Sequence, residues 1–255
     1  MGMENHIAIL CFFCYNFWGD QRKNGIGGII MRMRHKKWSM PELLGSGYYV
    51  EEPEALRGKW KEAFARSQPL HLELGCGKGV FTAAIAASHP EINYLAIDIS
   101  PDVLGVAKRN IDKEMEAAGR RPENILLAIY DIERIDKILA PGDQVDRIYI
   151  NFCNPWPKAK HHKRRLTHPR QLKLYQAFLK PGASVYFKTD DDGLYLSSRG
   201  YFLSENFELE IDEKNLHQAG LSEDVCNFTT EHELMFSRQG VPIKFLKAVF
   251  KGPCL

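Results

Sequence analysis

The chain has 255 residues, 44% of them hydrophobic and 26% charged, and its formal net charge is +2. This length allows one large α/β domain or two small ones, and the composition is ordinary for a globular protein, which excludes a disordered or fibrous chain. A net charge so close to zero says nothing about nucleic acid, so evidence for such a partner has to come from how the charges are distributed.

The chain opens with a short apolar stretch, IAILCFFCYNFW. It is too short to span a bilayer. A signal peptide would carry basic residues before the apolar run and small residues after it, whereas here Glu4 precedes the run and Asp20, Arg22 and Lys23 follow it. We therefore predict a non-essential N-terminal extension, residues 1–30, and a single domain, residues 31–255, in a cytoplasmic protein with no membrane partner.

Six cysteines are scattered along the chain. Only Cys11 and Cys14 have the CxxC spacing, and no second pair completes a zinc set. Scattered cysteines of this kind are typical of reduced thiols in a cytosolic protein. The cysteines therefore predict no metal site.

Strands alternate with helices through the middle of the chain. An amphipathic stretch, residues 53–67, predicts a first helix. The segments LHLEL, NYLAIDIS, NILLAIYDI, DRIYINF and ASVYFKTD predict strands, and residues 80–90, 101–119 and 168–179 predict the helices between them. FELEID and PIKFLKAVF are two later strand candidates. This alternation predicts an α/β fold with a parallel, doubly wound sheet.

Three glycines, Gly75, Gly77 and Gly79, follow the first of these strands in ELGCGKG. Glycine allows a tight strand-to-helix turn and the close approach of a ligand. The spacing is GxGxG, which is neither the GxGxxG of dinucleotide-binding folds nor a phosphate-binding loop ending in GK[ST]. The glycines therefore indicate a small-molecule site of another kind.

Three carboxylates lie at the ends of the predicted strands. Asp98 ends the second strand, where a carboxylate binds ribose hydroxyls; Asp131 ends the third and is placed for a purine amino group; Glu73 precedes the glycines and suits an α-ammonium group. Three carboxylates match a cationic, amino-acid-bearing nucleoside, so we predict S-adenosyl-L-methionine as the cofactor. The alternative is that Asp98 and Asp131 only cap the helices that follow them.

A basic segment lies inside an otherwise acidic chain. No acidic residue occurs between Asp146 and Asp190, whereas ten lysines and arginines do. The densest part is the run Lys160, His161, His162, Lys163, Arg164 and Arg165, directly after Asn-Pro-Trp-Pro. Such cations neutralise phosphates, so we predict an RNA-binding segment; a solvated charged face is the alternative. His161 and His162 lack a spaced third ligand, so no metal is predicted.

The chain resembles the bacterial tRNA (guanine-N7)-methyltransferases, which modify a guanosine in the variable loop of tRNA. NPWPKAKHHKRRL carries the resemblance most specifically, and ELGCGKG, FKTD and TEHELMF support it, over about residues 31–250. The resemblance implies a Rossmann-like methyltransferase fold, with a mostly parallel seven-stranded sheet and an antiparallel last strand. It also implies S-adenosylmethionine as methyl donor and tRNA as partner. Whether the protein is a monomer or a homodimer stays open.

The resemblance also assigns residues. Glu73, Asp98, Asp131 and Asn154 match donor-binding positions. Lys158, Asp190, Thr230, Glu231, His232 and Glu233 match substrate-binding positions. The chain departs from the family where Asn154 replaces an aspartate, and where His232 and Met235 replace a tyrosine and a lysine. The first departure bears on catalysis and the second on RNA contacts near the C-terminus.

The chemistry of the implied reaction selects two catalytic candidates. Guanine N7 has an in-plane lone pair and no proton, so it needs correct placement and acceptors near the positive charge that develops, but no general base. We predict Asp190 for the electrostatic role and Asn154 as an acceptor through its side-chain carbonyl. Two other functions remain: methylation of an exocyclic amine, which an Asn-Pro turn also serves, and tRNA binding by a catalytically impaired protein.

Overall fold

The computed structural model describes residues 35–221 and 228–252. Among these residues, eight strands form one sheet: β1 (Tyr49–Val50), β2 (Leu70–Leu74), β3 (Asn93–Asp98), β4 (Ile125–Ile129), β5 (Val145–Asn151), β6 (Leu179–Thr189), β7 (Phe207–Glu213) and β8 (Lys244–Phe250). Their order is β1-β4-β3-β2-β5-β6-β8-β7. The predicted extension, residues 1–30, lies outside the described residues.

The predicted sheet is confirmed in direction and nearly in strand number. Neighbouring strands from β1 to β6 pair in parallel, and β8 pairs antiparallel with both β6 and β7. The last strand, β8, therefore runs against the others, as expected. The additional strand is β1, whose two residues pair with Leu127 and Ala128 of β4; a segment so short has no alternating pattern to reveal it.

Six helices accompany the sheet in the described part of the chain: α1 (Ser39–Leu44), α2 (Val80–Ser88), α3 (Pro101–Ala117), α4 (Pro169–Gln176), α5 (Asp192–Ser204) and α6 (Glu231–Arg238). Helix α3 packs against α1 and α2, and α4 packs against α5. Helices α2, α3 and α4 lie where the sequence predicts helices. Helices α1, α5 and α6 lie where its pattern indicates none.

The predicted helix over residues 53–67 is wrong. Two short 3₁₀ helices, Pro53–Leu56 and Trp60–Ala63, occupy this region. Gly58 between them has φ +81°, which is outside the helical range. The buried carboxylate of Asp143 accepts hydrogen bonds from the main-chain amides of Gly58 and Trp60, 2.9 and 3.0 Å away. These long-range bonds hold the segment in two turns.

A row of apolar side chains fixes the register of the central strands. Leu95, Leu72, Ile148 and Val185 lie side by side on β3, β2, β5 and β6 and have no exposed surface. Burying each such side chain stabilises the fold by about 1.5–3 kcal/mol. With the register set, the carboxyl ends of the six parallel strands β1 to β6 lie at one edge, and strand order reverses there between β2 and β5. Such a reversal is where ligands bind in open α/β sheets.

Candidate active site

The glycine loop after β2 is tied to the end of β3. The amides of Gly75 and Cys76 donate to the carbonyl oxygen of Ile97, 2.9 and 3.1 Å away, and the amide of Gly77 donates to Oδ2 of Asp98, 3.0 Å away. Gly77 has φ +55°, and a Cβ built there would meet nothing within 4 Å. The loop therefore leaves open space beside its backbone, as a site for a ligand requires.

Close packing of two helices explains why the third of these positions, Gly79, is a glycine. A Cβ at this position would lie 2.7 Å from the Cβ of Ala107 in α3, a distance that real side chains do not tolerate. Gly79 has φ +66° and immediately precedes α2. Its role in closing α2 against α3 accounts for the glycine without a ligand, which distinguishes it from Gly77.

Asp98 and Asp131 both accept bonds from main-chain amides, but only Asp131 caps the helix that follows it, because the N-cap of α3 is Ser100. Oδ1 of Asp98 accepts from Ser100 at 2.9 Å, and Oδ1 of Asp131 accepts from Glu133 at 3.0 Å, where a 3₁₀ helix begins. Burial raises the pKa of the Asp98 carboxyl, and the amides of Ser100 and Gly77 oppose that rise. A carboxylate offers about four acceptor positions, so both side chains retain capacity for ligand hydroxyl or amino groups.

Glu73 is a buried carboxylate at the point where strand order reverses. Its side chain is 5% exposed. Oε1 accepts from Nδ2 of Asn151, at the end of β5 and 3.2 Å away, and Oε2 accepts from the hydroxyl of Thr82 in α2. Burial raises its pKa to about 7 in spite of these two bonds. A buried acid this difficult to ionise is stabilised as a carboxylate by a cationic ligand.

The side chain of Asn154 closes the Asn-Pro-Trp-Pro loop on itself. Asn154 is exposed, and its Oδ1 accepts a 3.0 Å hydrogen bond from the amide of Trp156, which has φ +43°. Asparagine and aspartate side chains both make this local bond. The replacement of the family's aspartate by Asn154 therefore preserves the loop geometry and removes only the charge.

Arg165 is placed differently from the exposed RNA-binding position that the sequence implied. It is 4% exposed, its Nε donates to the carbonyl oxygen of Pro155 at 2.7 Å, and its Nη2 lies 3.4 Å from the carbonyl oxygen of Trp156. The guanidinium group thus fastens the Asn-Pro-Trp-Pro loop from beneath. A buried group engaged in this way does not suit a phosphate contact.

The rest of the basic run forms a 3₁₀ helix, Ala159–Arg164, beside the same loop. The guanidinium carbon of Arg164 lies 4.2 Å from the centre of the Trp156 ring, and its Nε is 2.9 Å from Oε1 of Glu133. His161 lies beside the indole, with ring centres 5.7 Å apart. His161 and His162 are partly exposed, and Lys158, Lys160 and Lys163 are exposed. This surface presents an aromatic ring among cations.

Asp190 directly follows β6 and is partly buried. Burial raises the pKa of its carboxyl above the usual range, and Lys244 and His232 act against the rise. The main-chain oxygen of Asp190 accepts a 2.9 Å hydrogen bond from Nζ of Lys244, which is itself 4% exposed. The carboxyl group of Asp190 therefore lies in a partly desolvated position with its backbone anchored from β8.

The TEHE segment begins α6 with a capping box. The amide of Glu233 donates to Oγ1 of Thr230 at 3.0 Å, and the Thr230 amide lies 3.4 Å from Oε2 of Glu233. Both residues are buried. The ring of His232 stacks on Phe152 at 5.8 Å. The side chain of Glu231 lies outside the described part, so its predicted substrate contact has no structural counterpart here.

The structure joins these residues into two groups. The glycine loop connects Glu73, Asp98 and Gly77, and the Asn-Pro-Trp-Pro loop connects Asn154 to Arg164 and Arg165. Three polar residues escaped the sequence-based prediction: Asn151, which is partly buried, and Lys188 and Lys244, which are buried. A polar side chain at the carboxyl end of a buried strand is the signal that points to the first two.

Neither a membrane helix nor a metal cluster occurs in the described residues. Within those ranges every helix is too short or too polar to cross a bilayer, and no group of three or more His, Cys, Asp or Glu side chains is arranged to hold an ion.

The chain is similar to known proteins in sequence and in fold. The model of a family described as "Putative methyltransferase" matches residues 67–246. The tRNA (guanine-N(7)-)-methyltransferase of Clostridium beijerinckii is 52% identical over 86% of this chain and 99% of its own length. That of Ruminiclostridium cellulolyticum is 49% identical over 87% and 93%. A solved antibiotic-related methyltransferase, 18% identical, covers 86% of this chain and 95% of its own with a TM-score of 0.50, a likeness of fold.

Proposed function

The chain belongs to the tRNA (guanine-N7)-methyltransferase family, and from this premise we propose how its residues carry out methyl transfer from S-adenosylmethionine to N7 of a guanosine in the variable loop of tRNA. The observation that carries the proposal is the meeting of Glu73, Asp98 and Gly77 at the carboxyl edge of the sheet, where strand order reverses. The open space beside Gly77 and a buried acid whose pKa is raised by burial suit a cationic nucleoside.

Each of these groups has a part of the donor to hold. Glu73 would hold the α-ammonium group, because a cation would restore the ionised state that burial disfavours. Asp98 would bind ribose hydroxyls with the acceptor capacity left after the Gly77 and Ser100 bonds, and Asp131 would bind the purine amino group. When bound, S-adenosylmethionine supplies an electrophilic methyl group.

The protein's part in catalysis is placement and electrostatics. Guanine N7 has no proton to lose, so no residue has to act as a base. The guanine has to be held with N7 facing the methyl group, and acceptors have to lie near the positive charge that develops on the ring. Asp190 supplies the negative charge, and Asn154, Lys158 and the residues around Thr230 shape the substrate side of the site.

We assign the RNA-binding surface to exposed groups beside the Asn-Pro-Trp-Pro loop. Lys158, Lys160 and Lys163 are exposed and suit phosphate contacts. Trp156, with Arg164 over its ring, suits stacking on a base or ribose. Arg165 acts by holding the loop from the inside. The enzyme so proposed, residues 31–255, works in the cytoplasm, where its tRNA substrate is processed.

The test is to incubate the protein with labelled donor and unmodified tRNA, and then to map the modified bases. N7-methylguanosine in the variable loop is the expected product. Methylation of an exocyclic amine would favour the amine-methyltransferase alternative, and tRNA binding with no transfer would favour the impaired binding protein. Either result would overturn the proposal.

A further inference from the structure

A buried ion pair connects β6 to the C-terminal helix α6. Nζ of Lys188 lies 2.9 Å from Oε2 of Glu233, and the two side chains are 4% and 0% exposed. Taking two such charges out of water is costly, and it is offset only when their geometry and remaining bonds are good. The same ammonium group lies 3.4 Å from the carbonyl oxygen of Phe228, just before the helix. Because either charge would be destabilising if it were buried without the other, the pair favours the one arrangement of β6 and α6 in which both are satisfied.

Lys188 and Glu233 each lie next to a residue that the proposed reaction needs, Asp190 and His232, and the positions of these two residues have to be fixed relative to each other. Lys188 lies two residues before Asp190, at the carboxyl end of β6. Glu233 completes the capping box that begins α6. Its neighbour His232 stacks on Phe152, and its charge opposes the rise that burial causes in the pKa of Asp190. Rotation of α6 about its axis would move His232 relative to Asp190. The ion pair opposes that rotation.

Lys188 also adjoins the donor side of the site. It pairs in register with Asn151 of β5, whose amide binds Glu73. Asn151 and Lys188 line one cavity of about 10 Å³ with Tyr149 and Tyr186, enough space for about one water molecule. Two hydrogen-bonded pairs, Glu73 with Asn151 and Lys188 with Glu233, thus lie on neighbouring strands between the carboxylate proposed for the donor and the helix proposed for the substrate.

We propose that Lys188 is a positioning residue for methyl transfer, acting through Glu233 to orient α6 and His232 relative to Asp190. This inference rests on the proposed function. It assigns Glu233 a role inside the protein, because a carboxylate with no exposed surface cannot contact tRNA directly. The lysine of the FKTD motif and the glutamate of the TEHE motif then form one ion pair that orients α6.

The experiment is a double-mutant cycle with Lys188→Met, Glu233→Gln and both together. Glutamine keeps the reciprocal capping bond. Because Glu233 also lies 3.4 Å from Nε2 of His217, the coupling between the two substitutions, rather than the effect of either one, isolates the ion pair with Lys188. We expect Lys188→Met to lower thermal stability and to reduce kcat/KM for tRNA by about tenfold or more, with donor affinity unchanged. The double variant should regain most of the thermal stability, because no unpaired charge is left buried, yet turn over no faster than Lys188→Met alone.

The pair Lys247 and Glu210 at the edge of the sheet, with side chains 25% and 46% exposed, provides a matched control; Lys247→Met with Glu210→Gln should leave turnover unchanged. Full recovery of turnover with stability in the double variant would overturn the inference, since the pair would then be only structural. Additive losses would overturn it too, because Glu233 would act independently of Lys188. Hydrogen exchange in residues 231–238 gives a readout without methylation: the proposal expects faster exchange in the double variant, even if the wild type transfers no methyl group to tRNA, whereas unchanged exchange would contradict it.

Discussion

Oδ1 of Asn154 accepts a hydrogen bond from the main-chain amide of Trp156, 3.0 Å away. The bond uses an oxygen that asparagine and aspartate share, so it survives exchange of the two residues and is lost in alanine. The residue that departs from the family pattern therefore still performs its local structural task. What differs is the charge it presents to the site.

Exchange of Asn154 tests whether that charge matters. Asn154→Asp should stay within about tenfold, or 1.4 kcal/mol, of the wild-type rate, and Asn154→Ala should be severely impaired because the loop loses its closing bond. Asp190→Ala should lose far more than Asn154→Asp, since it removes the negative charge near the developing cation. Single-turnover methylation of tRNA measures all three. A wild type that binds donor and tRNA without transfer, with transfer restored by Asn154→Asp, would refute this expectation.

Donor binding should depend on Asp98. Asp98→Ala removes the proposed ribose acceptor and also the bond that orients the Gly77 amide. Losing hydrogen bonds to a charged group costs roughly 1.5–3 kcal/mol, and calorimetry with S-adenosylmethionine measures the loss. Glu114→Ala, on the exposed face of α3, is a suitable control. Equal donor affinity in the wild type and Asp98→Ala would count against this pocket.

The affinity for the donor should depend on pH through the ionisation of Glu73. Its pKa of about 7 means that the acid is largely protonated at pH 6, so binding an ammonium group there requires release of a proton. Affinity should therefore rise with pH up to about pH 7 and then level off. Calorimetry in buffers of different ionisation enthalpy counts the released protons. Glu73→Gln should bind more weakly and lose this dependence; a dependence that persisted would point to another group.

The raised pKa of Glu73 also makes the stability of the fold depend on pH. Between pH 4.5 and about 7 the folded protein retains a proton on Glu73 that the unfolded chain has released. Stability therefore falls as pH rises through this window. The slope of the free energy of unfolding with pH should be smaller in Glu73→Gln, as urea titrations at several pH values would reveal.

Substitutions in the basic segment should have two different effects: exposed lysines should affect the affinity for tRNA, and the buried arginine should affect stability. Replacing Lys158, Lys160 and Lys163 by alanine should weaken tRNA binding and reduce its salt dependence by roughly 0.7–0.9 in log–log slope per lost contact. Arg165→Ala should instead lower thermal stability, because it frees the loop and leaves carbonyl groups without their donor. Replacing the exposed Lys59, Lys113 and Lys251 is the matched control. An unchanged salt slope in the first variant would mean that these lysines form only a solvated face.

The first 30 residues should be dispensable. They lack the periodicity of a packed element, and the family resemblance begins near Met31. A protein that starts at Met31 should fold and methylate tRNA at the full rate, as circular dichroism and the transfer assay would measure. Intact folding with lost activity would assign a working role to residues 1–30.

Local patterns in the sequence determined the sheet and the position of the site. Alternating strands and helices predicted the parallel order, and the glycine loop with Glu73, Asp98 and Asp131 marked the carboxyl edge. These signals are local, because a strand, a turn and a cap each depend on a few consecutive residues. The predicted helix over residues 53–67 failed for the same reason: Asp143, far along the chain, holds that segment in two turns.

Only the tertiary structure decided which polar residues are buried, and with which partners. Within one basic run it placed Arg165 under the loop and left Lys158, Lys160 and Lys163 exposed, although their charge is the same. It paired Lys188 with Glu233 across 45 positions and Asn151 with Glu73 across 78. The pattern of apolar and polar residues along the sequence does not predict such pairs. The free energy of a pair depends on its desolvation and on the distance between its members, and both are set only when the sheet brings the strand ends together.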